Sequence, residues 1–140
     1  MARQHSSQEI WTEAEALERA GKGGEAIDLY VQAAVAEEDA HRPLRARVLW
    51  EQVAQRTGPT GALMERLARV CGRAHLDDEA FAYWVAAAAQ FRADGRTDEA
   101  ESAAAHALDH RRRMPAGAPE LPPLALAAIG SGETVRDLLG

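Results

Sequence analysis

The chain aligns with itself. Residues 8–56 and 62–110 correspond at a constant offset of 54. Glu25-Ala26 falls on Glu79-Ala80, Tyr30 on Trp84, Val31 on Val85, and Ala33-Ala34 on Ala87-Ala88. Ala46 falls on Ala100, and Ala14 and Ala20 fall on Ala68 and Ala74. Self-similarity at a fixed period marks a stacked array, in which one unit cannot bury its apolar face alone and buries it against its neighbours. Such arrays present surfaces, so the repeat points to binding.

Each copy reads as three amphipathic helices. The first is expected over 7–20, with Ser7 as N-cap and Ile10, Ala14 and Leu17 on one face at helical spacing. Gly21 ends it in a left-handed turn, and a second helix follows over about 25–39, striped with Ile27, Tyr30, Val31, Ala34 and Val35. Its acidic end, Glu37-Glu38-Asp39, opposes the helix dipole, and solvation is the expected reason it is tolerated. Pro43 suits the first turn of a third helix over 43–56, which carries Leu44, Val48, Leu49, Trp50 and Val53. Thr57-Gly58-Pro59-Thr60-Gly61 separates the copies. Three further helices are expected over 61–73, 77–93 and 97–112, the last N-capped by Thr97. His75 stands where Gly21 stands, and Gly95 where His41 does, so both histidines are expected to act as turn residues that tolerate positive φ. The domain boundaries are thus 7–112 for the helical array and 113–140 for a Pro-rich linker and apolar tail, with a short last helix over 133–139.

Composition narrows the function. The formal charge is -6 over 140 residues, against the basic face that nucleic-acid binding needs. The basic run His110-Arg111-Arg112-Arg113 ends a helix, where cations suit the dipole. No stretch approaches a membrane span, and MARQHSSQEIW lacks the apolar core of a signal peptide. A single cysteine, Cys71, forms no internal disulfide and suits a reducing compartment. The expectation is a whole small cytoplasmic protein that inserts in no membrane.

Candidate chemistry is thin. His106 and His110 share a helix face four residues apart, but no third metal ligand follows at a defined spacing. Gly21-Lys22-Gly23-Gly24 lacks the phosphate-loop frame and joins two helices. Cys71 lies at an apolar helix position, and nothing orients His75 to activate it. Neither an enzyme nor a cofactor or metal site is expected.

Two stretches carry a family signature: Gly21-Lys22-Gly23-Gly24-Glu25-Ala26-Ile27-Asp28-Leu29-Tyr30-Val31-Gln32-Ala33, and Gly95-Arg96-Thr97-Asp98-Glu99-Ala100 continuing through Ala104 and Ala107. Asp78-Glu79-Ala80 with Trp84 and Ala87 repeats it, and Arg45-Ala46 with Trp50 and Val53 gives a weaker version. The pattern resembles the turn and second helix of tetratricopeptide repeats, of a degenerate kind met in bacterial proteins. Its alanine anchors at 26, 46, 80 and 100 are spaced 20, 34 and 20 apart, and only the middle gap matches the family. One helix would then serve two successive hairpins.

The resemblance implies an all-α fold: a TPR-like α-solenoid of about six antiparallel helices in two three-helix copies, with a C-terminal tail or short capping helix. It also implies a non-enzymatic adaptor or scaffold that binds a protein segment. A secretion-type chaperone is the alternative, and a homodimer or a place in a larger assembly stays open. If first helices line the groove, as in that family, then Trp11, Glu15 and Arg19 lie on it in one copy, and Glu65, Arg69 and Arg73 in the other. The helix over 97–112 lacks bulk, with Ala104 where Tyr30, Trp50 and Trp84 stand. Leu121, Leu124, Leu126 and Ile129 are therefore expected to fold back over it as a cap. In the competing reading, Leu121, Leu124 and Leu126, with Leu138 beyond them, bind a partner.

Overall fold

The computed structural model describes residues 7–115 and 121–129. Among them are seven helices and no strand: α1 (Ser7–Arg19), α2 (Gly23–Asp39), α3 (Pro43–Thr57), α4 (Gly61–Arg73), α5 (Asp77–Ala93), α6 (Thr97–Arg113) and α7 (Pro123–Ile129). The chain divides into two compact units, Met1–Thr57 and Gly58–Gly140. The helix expected over 133–139, and Leu138 within it, lie outside the described residues. No described helix is long and apolar enough to cross a membrane.

In the first unit α1 and α3 each pack on α2. The inward side of α2 is Ala26, Tyr30, Ala33 and Ala34, so one large ring sits among small residues that let the flanking helices approach closely. In the second unit α4, α6 and α7 all pack on α5. Every residue of α5 from Ala80 to Ala88 is buried, as is Phe91. A helix that is apolar all round has to be covered all round.

Four of the turns between these helices, those of α1–α2, α2–α3, α4–α5 and α5–α6, have one conformation. Gly21, His41, His75 and Gly95 have φ of 79°, 59°, 60° and 76°. In each, the N–H of the left-handed residue bonds the carbonyl three positions back, and the next N–H bonds the carbonyl five back. Lys22 reaches Leu17 O at 2.9 Å, Arg42 reaches Glu37 O at 2.9 Å, Leu76 reaches Cys71 O at 2.9 Å, and Arg96 reaches Phe91 O at 2.8 Å. This is the Schellman arrangement, which satisfies the last carbonyls of a helix while reversing the chain. Five residues after each left-handed position stands a buried alanine (Ala26, Ala46, Ala80 or Ala100), whose N–H bonds the carbonyl just after the turn. Ser7 and Thr97 are the opening residues of their helices rather than caps. A cap is supplied instead by Thr60, whose hydroxyl accepts from Leu63 N at 3.3 Å.

The tail departs from expectation. α7 packs chiefly on α5 rather than on α6. It turns inward Ala125, Ala128 and Ile129, and Gln90 Nε2 of α5 donates to Ala128 O at 2.8 Å. Small residues let α7 sit close against an alanine-rich helix, and the Gln90 amide satisfies an orphan helix-end carbonyl. The leucines expected to do the capping are peripheral: Leu126 is 49% exposed, and Leu121 and Leu124 are half-buried. Leu44 and Val48, placed in the core stripe of α3 by pattern, are also exposed.

Ala26→Leu or Ala80→Leu inserts bulk at a fully buried crossing and is expected to cost about 1–3 kcal/mol in a urea melt. At Gly61 an added Cβ would stand 2.6 Å from the buried ring of Phe91. Gly61→Ala is therefore expected to destabilise by about 1–3 kcal/mol. Gly23→Ala, where the Cβ meets open space, is expected to be neutral or stabilising.

Candidate functional site

In the first unit the ends of α1 and α3 are tied by charge. Arg56 grips the Glu18 carboxylate with two nitrogens, Nε at 2.7 Å and Nη2 at 2.9 Å. The Tyr30 hydroxyl donates to the same carboxylate at 2.9 Å, and the guanidinium lies 4.6 Å from the Tyr30 ring centroid. Bidentate, charge-assisted bonds of this kind are strong and fix geometry. The hydrogen bond from Arg56 holds the Glu18 carboxyl below the usual range, against the opposing pull of partial burial. Burial, then the bond to Glu18, pushes the Tyr30 hydroxyl up to about 12. Trp11 stands edge-on to Tyr30, with centroids 5.3 Å apart. Around this cluster Trp11, Glu15, Glu18, Arg19, Tyr30, Gln52 and Arg56 line a shallow concavity.

At the other end of α2, Glu37 is 1% exposed. It was expected to be a solvated helix end. Burial pushes its carboxyl up, but hydrogen bonds from Ser7 and Arg42, with the charges of Arg42 and Arg45, outweigh that and hold it low. Arg42 Nε lies 2.6 Å from Glu37 Oε2. Next to it, Glu38 accepts from Trp50 Nε1 at 2.8 Å. Two of the three acids at this end of α2 are thus partnered, and the ion pair of Glu37 offsets part of the dipole mismatch.

A groove opens between α1 and α3 on this unit. It is lined by Ser7, Gln8 and Trp11 from α1 and by Leu44, Arg45, Arg47, Val48 and Leu49 from α3. Leu49 is buried at its floor, while Leu44 and Val48 are 54% and 43% exposed.

The second unit carries a different cluster. His106 stacks on Trp84 at 4.3 Å and 17°, and the Arg69 guanidinium lies 5.0 Å from a Trp84 ring centroid. His110 Nδ1 is 2.8 Å from Asp77 Oδ1, which also lies 3.6 Å from Arg113 Nη1. Arg69 pairs with Glu65 at 3.6 Å. Ala68, Arg69, Gly72, Arg73, Trp84, His106 and His110 line a concavity. His106 and His110, four apart on α6, are therefore held by different partners. Cys71 is buried with its thiol 3.7 Å from Glu79 Oε2, and His75 is exposed in its turn.

Of the residues singled out by sequence, Trp11, Glu15 and Arg19 meet at one concavity, and Arg69 and Arg73 at another; Glu65 stands behind Arg69 as its ion-pair partner. Leu121, Leu124 and Leu126 belong to the tail against α5 and are not among the residues lining the concavity of their own unit. Glu18, Tyr30 and Arg56 were missed as a cluster because their contact spans 38 residues of chain. Leu44 and Val48 were missed because helical spacing places them on the stripe, and only the positions of α1 and α2 show that the stripe is wider than its cover. No protein-family model, curated protein or solved structure matches this chain.

The titrations give stability a signature on both sides of neutrality. Glu18 and Glu37 have folded pKa values below the ordinary 4.5, so their contribution is present above that pH and lost as pH falls through the folded values. Tyr30 runs from an ordinary 10.0 to about 12, so its contribution is present below 10 and lost as pH rises through that window. Glu37→Gln is expected to flatten the acid limb of a stability–pH curve, and Tyr30→Phe the alkaline limb, as read by chemical denaturation at fixed pH.

Proposed function

We propose that the chain is a non-enzymatic protein-interaction module of the adaptor or scaffold kind, whose α1–α3 groove receives the apolar face of a partner helix. The observation that carries this is the exposure of Leu44 and Val48 beside Trp11. Two aliphatic side chains left open next to an indole, over a buried Leu49 floor, make the shape that helix-in-groove recognition uses. Arg45 and Arg47 edge the groove and favour an acidic flank on the incoming helix. The resemblance to tetratricopeptide repeats, and the two-copy solenoid it implies, belong to the same proposal. They are supported by the four turns of one conformation and by the buried alanine five residues after each.

Selection of helical peptides against the full-length chain tests it. The selected peptides are expected to repeat apolar anchors at helical spacing with acidic flanks, and to shift the emission of Trp11, the most accessible of the three tryptophans. Leu44→Ser combined with Val48→Ser is expected to weaken binding by about tenfold or more, equivalent to about 1.4 kcal/mol, with the melting temperature unchanged because both side chains are already exposed. Peptides whose affinity ignores that double substitution would overturn the proposal.

A further inference from the structure

We infer that the helix received by the α1–α3 groove is α6 of a second copy of this chain, seated by its outward face on Leu44 and Val48. The inference rests on the groove reading and names the occupant of that same site.

The two halves of the sequence carry opposite surfaces at equivalent positions. At the offset of 54, Trp11 corresponds to Glu65, Leu44 to Asp98, Arg45 to Glu99, Arg47 to Glu101 and Val48 to Ser102. Each of these apolar or basic residues of the groove lining thus has an acid or a hydroxyl as its counterpart. Several of the charges are already engaged: Glu65 pairs with Arg69, Glu99 with Arg96, and Arg47 with Glu51. Arg45, Asp98 and Glu101 are exposed, and none of the three makes an ion pair among the described residues. Arg45 acts on the buried Glu37 only through space. Charge complementarity therefore rests on these three alone, a cation at the groove edge and two acids on α6.

α6 also has the apolar pattern that the groove selects. It packs on α5 through Ala100, Ala103 and Ala107. Away from them Asp98, Glu101, Ala105 and Leu108 follow one another at helical spacing, and all four are exposed. Leu108 is 38% exposed, one of four large aliphatic side chains left open among the described residues. Two of the others are Leu44 and Val48. The last, Leu126, lies on α7, whose seven residues carry no charge for Arg45 to select. Leu108 supplies the anchor, and Ala105, one turn before it, leaves room for the bulk of Leu44 and Val48. Large side chains set against alanine are how this chain packs its own crossings, as Tyr30 does among Ala26, Ala33 and Ala34. Groove and α6 are different surfaces of one sequence, so the contact is heterologous, the groove of one copy against α6 of the next.

Sedimentation of the full-length chain over a range of concentrations is the test. Mass is expected to rise above the 15.1 kDa of one chain, and to fall back as salt screens the exposed charges. Two variants each remove one side of the contact: Leu44→Ser with Val48→Ser, and Glu101→Arg with Leu108→Ser. All four positions are exposed, so both variants are expected to keep their thermal melts. Each alone is expected to self-associate about tenfold more weakly or worse. Mixed in equal amounts they are expected to associate again, because the first keeps its α6 and the second its groove. A groove-to-groove contact or general stickiness gives no such recovery. A chain that stays at 15.1 kDa up to about 1 mM, the weak end of specific affinity, overturns the assignment. So does association that either variant leaves intact, or a mixture that fails to recover. If the chain stays monomeric while helical peptides still bind the groove and lose affinity on Leu44→Ser with Val48→Ser, this assignment falls alone. If such peptides fail as well, the groove reading falls with it.

Discussion

α5 has no side that tolerates water. Nine consecutive buried residues, Ala80 to Ala88, present apolar surface at every helical angle, and Phe91 extends it by another turn. Such a helix is stable only if neighbours surround it. α4 and α6 cover two sides, and a third is left for α7, which explains why a seven-residue helix docks there at all. Isolated helices of that length do not hold in water, so its order depends on the contact with α5. Alanine at the crossings sets how near each neighbour comes, and the few large rings fill what the alanines leave.

The same economy shapes the connections. Each reversal uses one left-handed residue, and the two bonds around it satisfy the carbonyls that the helix end would otherwise strand. The side chains flanking the turn then lock it in unlike ways. Arg42 pairs with the buried Glu37, while Arg96 lies 5.0 Å from the centroid of the Phe91 ring. Both place a cation from just after the turn on the residue five positions earlier, once through charge and once through a ring face. Where the partner is an acid, Ser7 stands at the opening of the first helix and bonds to it. Where the partner is Phe91, Gly61 stands at that opening, because its ring fills the space a Cβ would need.

What could be read from the sequence is what local chemistry fixes. Helix bounds came close because Gly21, His41, His75 and Gly95 end helices by backbone conformation alone, and the buried alanines follow at a fixed five-residue distance. Trp11 is assigned to a groove only through the family resemblance; its ring packs edge-on against Tyr30 of α2 and also lines the α1–α3 groove. Long-range geometry could not be read. Nothing local distinguishes Glu37, buried and ion-paired, from Asp39, exposed two residues on. The destination of α7 was misjudged for the same reason: its leucines looked like the packing side, yet the small residues Ala125 and Ala128 are what an alanine-rich surface accepts at close range. Leu44 and Val48 failed as core residues because a stripe is an angular property of one helix, whereas burial depends on how much of that angle the neighbours span.

The two concavities are closed by different groups, Glu18 with Arg56 and Tyr30 in one and His110 with Asp77 over Gly72 in the other. A carboxylate held by an arginine fork and a tyrosine hydroxyl satisfies its own cation, so the first concavity has little electrostatic reason to attract an anion. In the second, Trp84 is packed by His106 in place of Trp11's edge contact to Tyr30, and the acids stand at other positions, Glu65 beside Arg69 and Asp77 beside His110. The groove between α1 and α3 is built otherwise: Leu44 and Val48 leave it apolar at its centre, and Arg45 and Arg47 charge its edge.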